Sequence, residues 1–113
     1  MANSLTVPPG TVVNAEKVYP VNTAFLTSVM VGVTVTAVSG TSPTLQAFFE
    51  VLGGDGEYYT VWTSASVTAV GSLFGTVGPG ESNGAVLSSQ ARLRFEVGGT
   101  TPSFTLSASV TSR

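Results

Sequence analysis

The chain has 113 residues, enough for one domain with its own core. Charged residues make up only 9% of it, against about 25% in a typical domain, while hydrophobic residues make up 42%. A net charge of −2 with four cations excludes a generic grip on nucleic-acid phosphates. The lack of cysteine and histidine excludes disulfides, thiolate chemistry, the commonest general base and the commonest metal ligand.

The opening stretch MANSLTVPPG reads as an extended arm, residues 1–10, because Pro8 and Pro9 exclude helix and Gly10 ends the piece. It has no basic region and no apolar run, so no signal peptide is expected, and the product is expected in the cytoplasm where it is made. Residues 11–113 are expected as a single domain. VVNAEKVYPV is β-rich but holds Pro20, which belongs at a sheet edge or a bulge. The most apolar segment, 24–38, is too short and too interrupted by Thr, Ser and Gly to span a bilayer, so no membrane partner is expected.

Within it Val29, Val31, Val33 and Val35 alternate and predict one buried strand face. SGTSP reads as a turn. Leu45, Ala47, Phe49 and Val51 resume the alternation, and GGDG at 53–56 marks a second turn. EYYTVW is the next strand, and TSASVTAVGSLFGTV adds one or two short ones. GPGESNG, 78–84, reads as a surface loop. Ala91, Leu93, Phe95 and Val97 then alternate with Arg92, Arg94 and Glu96, which predicts one buried and one charged face. GGTTP turns the chain, and Phe104, Leu106, Ala108 and Val110 alternate through a last strand. Nothing is periodic as a helix would be. The sum is an all-β, antiparallel β-sandwich of about seven or eight strands, jelly-roll or immunoglobulin-like in order.

One phrase occurs twice: VSGTSPTL at 38–45 and VGGTTPSF at 97–104. Gly40 and Gly99 supply backbone that tolerates positive φ, and Pro43 and Pro102 interrupt a ladder. The expected result is two similar hairpins. A duplication could produce the repeat, and so could one good turn arising twice.

Few residues carry chemistry. Asp55 and Glu57 flank a glycine turn, and an ordinary Asp-Gly hairpin accounts for them better than a carboxylate pair or a calcium loop. A serine nucleophile has no histidine to activate it, so no catalytic residue, metal or cofactor is expected. Arg92, Arg94 and Glu96 share a strand face that could meet a partner's charges or simply be solvated. Tyr58, Tyr59 and Trp62 could form an aromatic platform for sugars, or could pack.

VTVTAVSGTSPTL, then GGDGEYYTVW, then RLRFEVGGTTPSFTLSASV together resemble small structural proteins of tailed bacteriophages. The resemblance covers residues 29–62 and 91–110. It departs from the group's pattern at GGDGEYY, which is more acidic and more aromatic. It implies a non-enzymatic virion component, foremost a head-decoration (cement) protein. Its implied partners are the major capsid protein and copies of itself, with a trimer as the expected oligomer. Leu5, Val7, Pro8 and Pro9 of the arm, with Arg92, Arg94 and Glu96, are the candidate interface. A tail or neck subunit and a carbohydrate-binding module are the alternative readings.

Overall fold

The structure is a computed structural model and describes residues 2–23, 28–78 and 90–112. Six strands fill it, with no helix among the described residues: β1 (Ala2–Val13), β2 (Lys17–Asn22), β3 (Val29–Leu52), β4 (Tyr58–Thr63), β5 (Gly71–Val77) and β6 (Gln90–Ser112). They form one antiparallel sheet in the order β1-β6-β3-β4, with β2 also paired to β6 and β5 also paired to β3. The all-β expectation is met.

The backbone of the fold is a ribbon of two long strands. β3 and β6 pair from Val29 opposite Ser112 to Val51 opposite Ala91. At roughly 3.3 Å per residue the 24 residues of β3 would reach about 79 Å if straight. The longest dimension of the molecule is 40 Å. The ribbon therefore bends sharply. Its register shifts cluster between Val35 and Thr44, and Gly40 (φ 110°), Ser42 (50°), Gly99 (108°) and Thr101 (50°) take positive φ there.

This corrects the expectation for the repeated phrases. The repeated phrases make no hairpins, and the described residues form six strands, where seven or eight were expected of the whole chain. The stretches on either side of each phrase pair with the opposite long strand and not with each other, so the chain has nothing to reverse against. Glycine and proline serve a corner within a continuous strand, where the register skips Ser42 and Pro43.

The arm stretch is extended, as read, but it runs along β6 as β1, and its ladder shifts between Val7 and Thr11 around Pro8 and Pro9. Within this stretch Val7 is 2% exposed, in the core. Pro20 lies on β2, an outer strand paired only to β6, where its missing N–H costs no ladder bond. Residues 24–27 of the apolar segment and residues 79–84 of the expected loop lie outside the described residues.

Alternation supplies the core. Val29, Val31, Val33, Val35, Leu45, Ala47, Phe49, Val51, Ala91, Leu93, Phe95, Phe104, Leu106, Ala108 and Val110 are all buried, as their spacing predicts. Val7 and Val13 of β1, Val21 of β2 and Val77 of β5 join them in one cluster. Fully burying each Val, Leu or Phe side chain contributes about 1.5–3 kcal/mol, so the ribbon dominates stability.

Candidate functional site

The outward parity of β3 and β6 builds the most chemically distinct surface. With Phe49 and Val51 turned inward, Phe48 and Glu50 turn outward, and with Leu93 and Phe95 inward, Arg92 and Arg94 turn outward. The register sets Glu50 opposite Arg92 and Phe48 opposite Arg94. On the other side of β3, Glu50 faces Thr60 of β4. Directly opposed side chains on one sheet face touch.

Glu50 is the hub and is 5% exposed. Its Oε1 accepts from Arg92 Nε at 2.6 Å. Its Oε2 accepts from Arg94 Nε at 3.2 Å and from the Thr60 hydroxyl at 2.9 Å. Arg94 also pairs with Glu16 at 3.1 Å and with Glu96. The Arg92 guanidinium lies 4.2 Å over the Tyr58 ring, and that of Arg94 lies 4.4 Å over Phe48. Burial alone would push the Glu50 carboxyl up. The hydrogen bonds from Arg92, Thr60 and Arg94, with the Arg94 charge, outweigh it and hold Glu50 below its ordinary value. The Arg94 guanidinium is held above its ordinary value, because Glu96 and Glu50 outweigh its own burial.

The arrangement is a fixed, partly desolvated charge network capped by aromatic rings. Its arginines are held by two contacts each or more, so the face presents a preformed pattern of charge. It suits contact with another surface.

The remaining candidate residues are dispersed. Leu5 packs on the core, Val7 lies within it, and Pro8 and Pro9 are exposed at the β1 irregularity. These four sit along the end of β6 nearest Ser112, whereas Arg92, Arg94 and Glu96 lie at its other end, so the candidate interface is split in two. The three rings also part company. Tyr58 lies under Arg92, Tyr59 extends from the neighbouring position at 52% exposure, and Trp62 packs on the core with its indole against Gly75. Asp55 belongs to the hairpin turn: it accepts from the Glu57 N–H at 3.1 Å and from the Tyr59 hydroxyl. That phenol hydrogen bond, with the one from Glu57, holds the Asp55 carboxyl below its ordinary range and raises the Tyr59 phenol. Among the described residues no group of three acids gathers as a metal site would require.

Glu50, Thr60, Glu16 and Phe48 were not singled out from the sequence. Their signal is weak, since Glu50 is simply the outward residue between Phe49 and Val51, 42 positions from Arg92. Only the register joins them.

No protein-family model matches the chain, and no curated protein matches it.

Proposed function

We propose that the bent sheet closes as a β-sandwich and that the protein is a structural component of a tailed-bacteriophage virion, foremost a head-decoration protein. It acts by contact, as a rigid body seated on the major capsid protein and on copies of itself, with a trimer as the expected assembly. Binding to the assembled shell would stabilise the shell by mass action. One observation carries this reading beyond the sequence. The two resembling segments, 29–62 and 91–110, are the two paired strands of one ribbon together with β4. The resemblance thus spans a single structural unit. The low charge of the chain and outlying apolar side chains such as Phe74, 66% exposed, and Val70 also suit a surface that other protein covers.

The test is co-sedimentation of the purified protein with emptied heads of a phage that encodes it. Saturable binding at a fixed ratio to the major capsid protein, with a raised melting temperature of the heads, is the expected result. Attachment to isolated tails alone would replace this reading with the tail or neck one. Binding to neither, together with a Trp62 emission shift on adding sugars, would favour the carbohydrate module.

A further inference from the structure

The two copies of the repeated phrase lie against each other. Val38 faces Phe104 and Leu45 faces Val97, so the first residue of each copy meets the last residue of the other. The contacts repeat with the sequence. A Cβ on Gly40 would lie 2.6 Å from the Thr101 carbonyl oxygen and 2.9 Å from Pro102 Cα. A Cβ on Gly99 would lie 2.6 Å from the Ser42 carbonyl oxygen and 3.0 Å from Pro43 Cα. The positive φ values match as well, Gly40 with Gly99 and Ser42 with Thr101. A local two-fold axis passes between the copies.

The same axis relates the other strands. In the first half Leu5 faces Val110 and Val13 faces Phe104. In the second half Tyr59 faces Val51 and Val67 bridges Leu45. Leu5 and Val13 thus correspond to Tyr59 and Val67, and Val51 and Leu45 to Val110 and Phe104. Likewise Lys17 faces Phe95 and Val21 faces Ala91, while Gly71 faces Val35 and Gly75 faces Val31. Both short-strand correspondences carry the same sequence offset, although they pair with opposite ends of the long strands. The long-strand offset changes by one residue across Thr36, where β3 shifts register against β6. The burial classes agree from Lys17 to Val21 and from Gly71 to Gly75: Val21 and Gly75 are buried, Tyr19 and Leu73 half-buried, Pro20 and Phe74 exposed.

We propose that the chain is two copies of one three-stranded unit, β1-β2-β3 and β4-β5-β6, fused in tandem and interlocked through their long strands. β1 and β2 pair with β6, whereas β4 and β5 pair with β3. Neither unit supplies the ladder partner of its own short strands. Each unit is therefore a docking face for a second unit of the same kind, and the protein is a covalently closed, strand-exchanged dimer. One good turn arising twice would account for the phrase but not for the matching registers of β2 with β5 and of both ends of β1 with the stretch from Tyr59 to Val67. The inference stands apart from the virion reading.

Two full-length variants test it. The first exchanges three of the four differing pairs of the two phrases, keeping the core pair Leu45 and Phe104 in place: Ser39→Gly with Gly98→Ser, Ser42→Thr with Thr101→Ser, and Thr44→Ser with Ser103→Thr. The second reverses the order of the units. It joins the end of β6 to the start of β1 through a copy of residues 53–57 and opens the chain within the natural 53–57 loop. Asn3 pairs with Thr111 as Tyr58 pairs with Leu52, so the new joint lies one pair beyond the position of the old one. Both variants are expected to melt cooperatively within about 10 °C of the parent. A larger loss in the phrase exchange, or a permuted chain that does not fold, overturns the proposal.

Discussion

At one end of the ribbon the outward side chains are Phe48, Glu50, Arg92 and Arg94. At the other end the positions related by the internal two-fold are Ser107, Ser109, Gly32 and Thr34. Inward, the two ends follow one plan, Phe49 and Leu93 at the first, Ala108 and Val33 at the second, all buried. Outward, one end holds a closed charge network. The other is an uncharged surface with a shallow recess of 290 Å³ lined by Thr6, Gly32, Thr34, Ser107 and Ser109. The difference teaches that core and outer face are separable in a two-sided strand. Alternation commits every second residue to the core and leaves the rest to carry whatever chemistry a partner requires.

The corner between the two ends sets the largest effect. Gly40→Ala and Gly99→Ala each force a side chain onto positive φ and against a carbonyl oxygen 2.6 Å away. Each is expected to cost about 3 kcal/mol or more, with the two costs equal within about 1 kcal/mol, by denaturant unfolding. Clearly unequal costs would break the equivalence of the two ends.

Next comes the hub. Glu50→Ala strands two arginines in a half-buried setting and is expected to cost about 3 kcal/mol. Ser109→Ala, at the related position, is expected to cost less than about 0.5 kcal/mol. Equal losses would mean that the charged end contributes nothing of its own.

The same hub gives a smaller, pH-dependent effect. Glu50 has a folded pKa below its ordinary, unfolded value, because the hydrogen bonds from Arg92, Thr60 and Arg94 outweigh its burial. Its contribution is therefore complete above that unfolded value and is lost as pH falls through the lower folded one. In Glu50→Gln, stability measured from pH 6 to pH 2 is expected to fall less steeply than in the parent. Parallel curves would remove Glu50 from the acid response.

The smallest effect sharpens the picture at the hairpin. Tyr59→Phe is expected to leave the melting temperature unchanged, because the Asp55–Tyr59 contact is exposed. The Asp55 carboxyl should titrate closer to its ordinary value, as read by NMR. An Asp55 titration that does not move would show that the Glu57 N–H alone holds it.

Much of this was legible in the residues. The alternating stretches 29–35, 45–51, 91–95 and 104–110 name the buried face residue by residue, because a period of two allows one inward set. Gly53, Asp55 and Gly56 name the β3–β4 turn, and Pro20 names an outer strand. The phrases at 38–45 and 97–104 misread as reversals for a definable reason. A glycine at positive φ followed by a proline serves a tight turn and a bent strand equally, and only the partner strand distinguishes them.

The candidate site was half legible. Arg92, Arg94 and Glu96 stand out as charges alternating with core residues, but Glu50 is distant in sequence and its pairing is a matter of register. By itself, then, the sequence determined the fold class, the core face of each strand and the poverty of charge, since these follow from local periodicity and composition. The tertiary structure alone decided that the repeated phrases meet at a corner, that β1 closes on β6, and that one buried glutamate gathers two arginines. Those are long-range pairings, set by which strand edges and side-chain faces complement each other when the ribbon folds.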